Sequence, residues 1–291
     1  GDHRHLHSFP TRRSSDLARQ AIQKIFLDSI VHGRGLDRVR GFCGSDPKPT
    51  PLAVFELVSR IGELRPDWGD FCVVDPGGAT TDFYSCGEAF RGAEGVLLKG
   101  IREPRVKRTV EGDLGLRISA ESLLAGAGDA LRSEAEARGI SFDEMKEYAA
   151  QAAARTDMRP ADGRELLMDT LLCEAAAACA ALRHAGNLEA VYCPAGKVFL
   201  QQGKDLRPCS RLIGTGGFLS RHDLGAGLRR AFRRVRGEVR EEKIPLLPGD
   251  FRFYRDGLHL FPLLGNLADD FPEEAVACAL SHLTEETRTT E

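Results

Sequence analysis

Residues 75–82, with the sequence DPGGATTD, combine residue types that bind phosphate groups. They follow the apolar run FCVV at residues 71–74, which predicts a short buried strand. Such a strand would carry Asp75 to its carboxyl end, where a ligand can reach the side chain. Because a carboxylate in that place can hold Mg²⁺ through water, Asp75 is a candidate metal and catalytic residue.

The middle of this segment is built from small and hydroxylated residues. Gly77 and Gly78 lack Cβ, so the chain can turn sharply and bring backbone N–H groups close to an anion. The hydroxyls of Thr80 and Thr81 can donate to phosphate oxygens, and Asp82 opens a second predicted strand. A plain hairpin with solvated carboxylates is the alternative interpretation.

A second glycine-rich segment, LIGTGG, occupies residues 212–217 and precedes a helical pattern at residues 224–235. Glycines between a strand and a helix let a flat ring or a phosphate approach the backbone, and a helix N-terminus favours an anion. A simple strand–turn–helix explains the pattern equally well. The sequence contains neither the P-loop nor the Rossmann glycine pattern, which disfavours the commoner nucleotide-binding folds.

The elements that would position these segments alternate between helical and strand patterns. Asp256-Gly257, between two apolar runs, predicts a β-hairpin. A strand is predicted at residues 189–193, and alanine-rich helical sequence runs from about residue 118 to 155. The remaining helices are predicted over residues 18–32, 52–64, 166–184 and 272–283.

Composition places the chain among globular proteins and excludes several classes. The 291 residues are 42% hydrophobic and carry a formal net charge of −3, which argues against a dedicated nucleic-acid surface. The eight cysteines form no C-x-x-C pair, so neither a disulfide framework nor a zinc site is indicated. Buried thiols in a reducing cytoplasm explain them better. The longest apolar helix contains Asp169 and Glu174 and is too short to span a membrane.

Residues 1–17, GDHRHLHSFPTRRSSDL, match one reading frame of a common sequencing-library adapter at every position except His5. A metal-binding histidine cluster, a basic nucleic-acid arm and a targeting peptide are the alternatives, although the apolar run of a signal peptide is missing. We expect this segment to be non-native and the natural protein to begin further upstream.

Several blocks of sequence together resemble one protein family. GGATTD, after VVD, resembles the second phosphate-binding hairpin of the actin, Hsp70 and sugar-kinase superfamily, in which Pro76 would usually be another apolar residue. With three further blocks, the pattern is similar to the accessory protein family of adenosylcobalamin-dependent glutamate (methylaspartate) mutase, called GlmL or MutL and unrelated to the mismatch-repair protein of that name. The resemblance runs from about residue 18 to the C-terminal helix, and EGDLG is its most distinctive part. The further blocks are KRTVEGDLGLR at 107–117, GKDL at 203–206 and IGTGG at 213–217.

This resemblance implies an α/β, actin-like (ribonuclease H-like) ATPase fold. The family begins with an Asp-x-Gly-Ser/Thr phosphate loop, and none precedes Asp75, so we expect an N-terminally truncated chain that is mostly the second lobe. The second lobe would hold the phosphate hairpin, an inserted helical subdomain at about 118–165, the adenosine turn and a C-terminal hairpin plus helix. The expected divisions are 1–17 as adapter-derived, 18–66 as remnant helices of the first lobe and 67–291 as the second lobe.

The resemblance also implies roles for the candidate residues, with ATP or ADP and Mg²⁺ as cofactors. Asp75 would hold Mg²⁺ through water, and Asp82 would orient water or a monovalent ion. Glu111 and Asp113 would either line the cleft or lie in a solvated loop, and the arginines of 229–236 would grip an acidic partner or form a solvated face. Phosphate is assigned to Gly77, Gly78, Thr80 and Thr81, and adenosine to Gly214, Thr215, Gly216 and Gly217.

The implied function is that of a cytoplasmic, ATP-dependent chaperone that reactivates an adenosylcobalamin-dependent mutase or aminomutase by releasing damaged cobalamin. Its partners would be the mutase subunits, with neither nucleic acid nor membrane. With half of the nucleotide clamp absent, we expect this chain to bind ATP weakly and to be nearly inactive. Two other classes remain open. One is a small-molecule kinase of the same superfamily, for which no base or substrate motif is found, and the other is an actin-like filament protein.

Deleting residues 1–17 should leave the melting temperature unchanged, because this segment lacks an apolar pattern with which to pack. Differential scanning calorimetry of the deleted and undeleted chains measures the effect. A fall of several degrees on deletion would show that the segment has a structural role.

Overall fold

The computed structural model describes residues 48–194, 196–237 and 243–286. The predicted adapter segment and the helix predicted over residues 18–32 lie outside these ranges. Pro51–Glu291 is assigned to one compact unit, so the first described helix belongs with the sheet that follows it. The expected lobe boundary at residue 67 stays a prediction.

The described residues form an α/β fold, as predicted. A short 3₁₀ helix, Pro66–Trp68, precedes the first strand. The helices are α1 (Thr50–Leu64), α2 (Ala120–Ala137), α3 (Phe142–Ala154), α4 (Gly163–His184), α5 (Gly225–Gly237), α6 (Phe261–Leu267) and α7 (Pro272–Ser281). The strands are β1 (Phe71–Pro76), β2 (Thr81–Cys86), β3 (Val96–Leu98), β4 (Val106–Glu111), β5 (Asn187–Cys193), β6 (Gly196–Gln202), β7 (Arg211–Gly214), β8 (Lys243–Pro245), β9 (Arg252–Arg255) and β10 (Thr284–Glu285).

Six strands form the main sheet in the order β10-β9-β7-β1-β2-β4. β1, β2 and β4 are antiparallel neighbours, whereas β1, β7 and β9 run parallel. The β1–β2 register places Asp75 opposite Asp82 and Pro76 opposite Thr81. Pro76 is thus the last residue of its strand, a position that tolerates the missing N–H donor.

Helices cover both faces of this sheet because β1 alternates between two apolar clusters. Cys72 and Val74 point into a core with side chains of α2 to α5. Phe71 and Val73 point into the opposite core, with side chains of α1, α6 and α7. The central strand is therefore fixed on both faces, and its carboxyl end at Asp75 is held in place.

A second, four-stranded sheet has the order β3-β6-β5-β8. Only β5 was predicted from sequence, as a strand at residues 189–193, and it extends from Asn187 to Cys193. β3 and β8 have three residues each, too short for a periodic signal to identify.

The β-hairpin predicted at Asp256-Gly257 is wrong. β9 precedes these residues, but it already pairs with β7 on one edge and β10 on the other. The Asp256 carboxylate instead accepts hydrogen bonds from the backbone N–H groups of Leu260 and Phe261, at 2.8 and 3.0 Å. It therefore accepts from the N–H groups at the start of helix α6, and the predicted return strand does not form.

The predicted helices that fall within the described ranges are present, with shifted ends. The helix predicted at 52–64 begins at Thr50, that at 166–184 begins at Gly163, and that at 272–283 ends at Ser281. The alanine-rich segment forms α2 and α3, whose buried side chains share one core with α4 and with the main sheet. Within the described ranges, no helix is both long and apolar enough to cross a membrane.

Gly265→Ala should destabilise the fold, because a Cβ at Gly265 would lie 2.0 Å from the backbone oxygen of Ala53 where α6 crosses α1. We expect a loss of about 1–3 kcal/mol in the free energy of unfolding. Urea unfolding measures it. The control is Gly163→Ala, because a Cβ at Gly163 has no atom within 4 Å. Equal stabilities for the two variants would contradict the observed crossing.

Candidate functional site

The tip of the β1–β2 hairpin is bound through its carbonyl groups to the loop after β4. The N–H groups of Leu116 and Arg117 donate to the oxygens of Gly77 and Gly78, at 2.9 and 2.8 Å. The Ser119 hydroxyl donates to the oxygen of Ala79 at 2.8 Å. The loop is close enough that a Cβ at Gly115 would lie 2.3 Å from the carbonyl carbon of Ala79. Gly115, the last residue of the resembled block EGDLG, and the residues directly after it therefore position the hairpin tip.

The N–H groups of the same tip are not used in this way. Gly77 donates to the oxygen of Thr80 at 2.8 Å, which closes the turn. The backbone N–H groups of the next three residues, Gly78 to Thr80, donate no hydrogen bond within the described ranges. A turn with free successive N–H groups is suited to binding an anion.

The hydroxyls of two predicted site threonines make hydrogen bonds within the fold. The Thr81 hydroxyl is fully buried and donates to the oxygen of Leu114 at 2.6 Å. The Thr215 hydroxyl is also buried and donates to Asp256 at 2.8 Å. Neither side chain lines the cleft described below, and the predicted phosphate contact of Thr81 and adenosine contact of Thr215 stay predictions. Thr80 is half-buried at the hairpin tip.

The structure brings Asp75 and the second glycine-rich segment together, as the sequence predicts for one site. Thr215 donates its N–H to the oxygen of Val74 at 3.0 Å, which extends the pairing of β7 with β1. Gly216 follows with φ of +89°, and a Cβ there would lie 2.2 Å from Oδ1 of Asp75. Only glycine both adopts this backbone conformation without strain and leaves room for the carboxylate.

The ionised forms of the carboxylates at the end of β1 are destabilised by their surroundings. Burial, with a smaller contribution from the charges of Asp82 and Asp256, raises the pKa of Asp75 to about 6. Burial also raises the pKa of Asp82, although Nε of Arg108 donates to it at 2.7 Å. Asp75 has no such cation paired to it in the described ranges. A partly buried carboxylate close to other negative charges favours a cation beside it.

The residues present fit a magnesium ion bound with a nucleotide better than a cage built by protein alone. Among the residues that the structure describes, there is no group of three or more His, Cys, Asp or Glu side chains arranged to hold a metal. Mg²⁺ commonly keeps several waters and uses one or two carboxylates together with substrate phosphates. Asp75 is placed for such a contact, with Asp82 opposite it in the register.

A cleft of about 400 Å³ opens at the hairpin tip. Gly77, Gly78 and Gly217 line it, which unites part of both predicted segments in one concavity. Its basic lining was not predicted, because these side chains come from separate loops without a local motif. The basic residues that line the cleft are Arg117, Arg159, Arg221 and His222.

Comparison with known proteins assigns the chain to a family. The family model described as MutL protein matches residues 13–283. The chain belongs to the MutL protein family. A curated relative, Protein MutL of Clostridium tetanomorphum, is 33% identical over 270 residues, which are 91% of this chain and 57% of the relative. The family predicted from the sequence blocks is thereby confirmed, and the chain spans little more than half the length of that relative.

The remaining blocks that carry the MutL resemblance have structural explanations. In the GKDL block, Lys204 is fully buried, and its Nζ donates to the backbone oxygens of Ser85 and Pro104 at 3.2 Å each. In the EGDLG block, Glu111 and Asp113 accept hydrogen bonds from Arg183 at 2.9 and 2.6 Å. Glu111 and Asp113 do not line the cleft, so that alternative is corrected.

The arginine-rich helix of this MutL family member is largely engaged within the chain. Arg229 pairs with Glu286 at 2.9 Å, and Arg234 binds Glu134 and the oxygen of Ala130. Because of these contacts, few of the arginines on this helix are available to bind the acidic partner that the sequence predicted.

The pKa of Asp75 predicts a pH dependence of stability that Asp75→Asn should remove. Since folding raises this pKa from its ordinary value of 3.8 to about 6, the folded state binds the proton more tightly. Stability contributed by the protonated form is lost as pH rises through this window. Wild type should therefore lose about 2 kcal/mol more than Asp75→Asn between pH 4 and pH 7.5.

Urea unfolding at the two pH values measures this difference. Asp157→Asn, at an exposed position, is the control and should follow wild type. A pH dependence that is the same in wild type and Asp75→Asn would contradict the assignment.

Proposed function

We propose that this MutL family member supplies a magnesium-nucleotide-binding lobe of an accessory protein that reactivates an adenosylcobalamin-dependent mutase. The observation that carries the proposal is the cleft in which the β1–β2 hairpin and Gly217 meet. It is the place where free backbone donors, basic side chains and the end of β1 come together.

The strand order supports an actin-like ATPase fold. Three antiparallel strands, β4, β2 and β1, continue into the parallel strands β7 and β9. This is the order expected for the ribonuclease H-like core that the superfamily resemblance implies. In such a sheet, ligands bind outside the carboxyl ends of the parallel strands, where Asp75 and Gly216 lie.

The hairpin provides the phosphate contacts in this proposal. The free N–H groups of Gly78, Ala79 and Thr80 would donate to phosphate oxygens, and the absence of a side chain at Gly78 leaves the approach open. Asp75 would hold the hydrated magnesium ion, which supplies charge neutralisation at the phosphates. Asp82, bound to Arg108, would limit where water lies beside Asp75.

The glycine-rich turn provides the second wall. Gly216 keeps Asp75 in place, and Gly217 lines the cleft without a side chain. A Cβ at Gly217 would meet no atom within 4 Å, so the space beside it is free for a flat ring. Adenosine is therefore proposed to pack against Gly217.

The proposed partner follows from the family. Glutamate mutase, or a related aminomutase, is the client that the sequence resemblance implies, and release of damaged cobalamin is the proposed outcome of the nucleotide cycle. The basis for this part is membership of the MutL family together with the resembled blocks.

Asp75→Asn should abolish ATP-dependent reactivation in a protein extended to the full length of the relative. Removing the charge that holds magnesium at a phosphoryl-transfer site should cost several kcal/mol of transition-state stabilisation, and so at least about a hundredfold in rate. The assay measures release of hydroxocobalamin from the inactivated mutase with and without ATP.

Asp270→Asn is the matched control, because it removes the same charge from an exposed position that does not line the cleft. Circular dichroism checks that both variants are folded. Reactivation by Asp75→Asn at the wild-type rate would show that the hairpin is only a turn.

A further inference from the structure

The cleft contains two guanidinium groups that the chain itself does not neutralise. Arg159 lies in the loop between α3 and α4, and Arg221 lies in the turn after Gly217. Both side chains line the cleft, and in the described ranges neither has a carboxylate within ion-pair distance. Two segments far apart in sequence thus bring unpaired positive charge to one concave surface.

The third arginine of the cleft is different, and the contrast is informative. Arg117 donates two hydrogen bonds to the buried carboxylate of Asp169, at 2.8 and 2.7 Å. This pair is charge-balanced and joins the loop after β4 to α4. Because Asp169 is the acidic residue of the cleft lining and is already taken, the positive charge of Arg159 and Arg221 remains uncompensated.

Other arginines of the chain show the usual alternative. Arg183 and Arg207 each bind a nearby carboxylate at 2.6 to 2.9 Å, although both are partly exposed. An exposed arginine without a partner is by itself ordinary. Here, however, two such residues line the same cleft as Gly78, whose N–H is free within the described ranges and also attracts anions.

We propose that Arg159 and Arg221, on segments distant in sequence from the hairpin, bind the polyphosphate of the ligand. These two residues select polyphosphates over uncharged nucleosides. Guanidinium groups bind phosphate oxygens through paired, charge-assisted hydrogen bonds. A cleft of about 400 Å³ is of the size that holds small-molecule ligands. The assignment of the ligand as a nucleotide rests on the proposed function, whereas the polyphosphate site rests on the cleft alone.

Titration calorimetry with inorganic tripolyphosphate, Mg-ATP and adenosine tests the proposal on this chain. The variants are Arg159→Gln, Arg221→Gln and the double variant. The control is Arg233→Gln, at an exposed position on α5 outside the cleft. We expect each single variant to weaken tripolyphosphate binding about tenfold and the double variant more, with a smaller salt dependence. Adenosine binding and the control should stay unchanged.

The possible outcomes separate this inference from the proposed function. One outcome is that the variants bind tripolyphosphate more weakly, while wild type binds Mg-ATP no more tightly than tripolyphosphate and does not bind adenosine. In that case the cleft is a polyphosphate site and the nucleotide proposal fails. If Mg-ATP binds and is lost in Asp75→Asn but not in the double arginine variant, the nucleotide proposal stands and this inference is overturned. Failure of wild type to bind tripolyphosphate overturns it as well. Thermal melting confirms that each variant is folded.

Discussion

The close contact between the hairpin tip and the loop at residues 115–119 is the constraint on which the candidate site depends. The loop takes up the carbonyl groups of Gly77, Gly78 and Ala79, and Gly115 allows this because any Cβ would collide with Ala79. Once the carbonyl groups are occupied, the N–H groups are the polar atoms left to meet a ligand. The same loop presents Arg117, whose bond to Asp169 fixes the hairpin relative to α4. These contacts together determine which polar groups of the turn are available to a ligand.

The charges of the site are arranged around this constraint. Negative charge is concentrated at the end of β1. Asp82 and Asp256 lie close enough to Asp75 that their charges raise its pKa. At the cleft, by contrast, Arg159 and Arg221 leave positive charge without a partner in the described ranges. A cation beside the carboxylates and an anion beside the arginines would relieve both regions. A magnesium-bound polyphosphate carries both, which makes the two halves of the site consistent with one ligand.

Sequence alone could predict the parts of this fold that have local signals. The FCVV run gave β1, the Gly-Gly pair gave the turn, and long apolar periodicity gave α1 and α4, because each pattern is complete within a few residues. The hairpin at Asp256-Gly257 failed because the carboxylate of Asp256 caps α6, and sequence does not reveal that β9 is already paired on both edges. The roles of Thr81 and Thr215 were missed for a similar reason. Their hydroxyls are bound by Leu114 and Asp256, which are distant in sequence. Arg159 and Arg221 belong to no sequence motif, and only the tertiary fold brings both to the lining of one cleft.

The central claim is that the hairpin tip and the turn after Gly217 bind one magnesium-nucleotide. Amide chemical shifts of the isotope-labelled chain during titration with Mg-ADP test it most directly, because they report each backbone N–H separately. The account predicts saturable shifts at Gly78, Ala79 and Thr80 and at residues 217–222, with one common dissociation constant. Saturable shifts confined to other parts of the chain, such as the four-stranded sheet, with none at the hairpin tip, would contradict it.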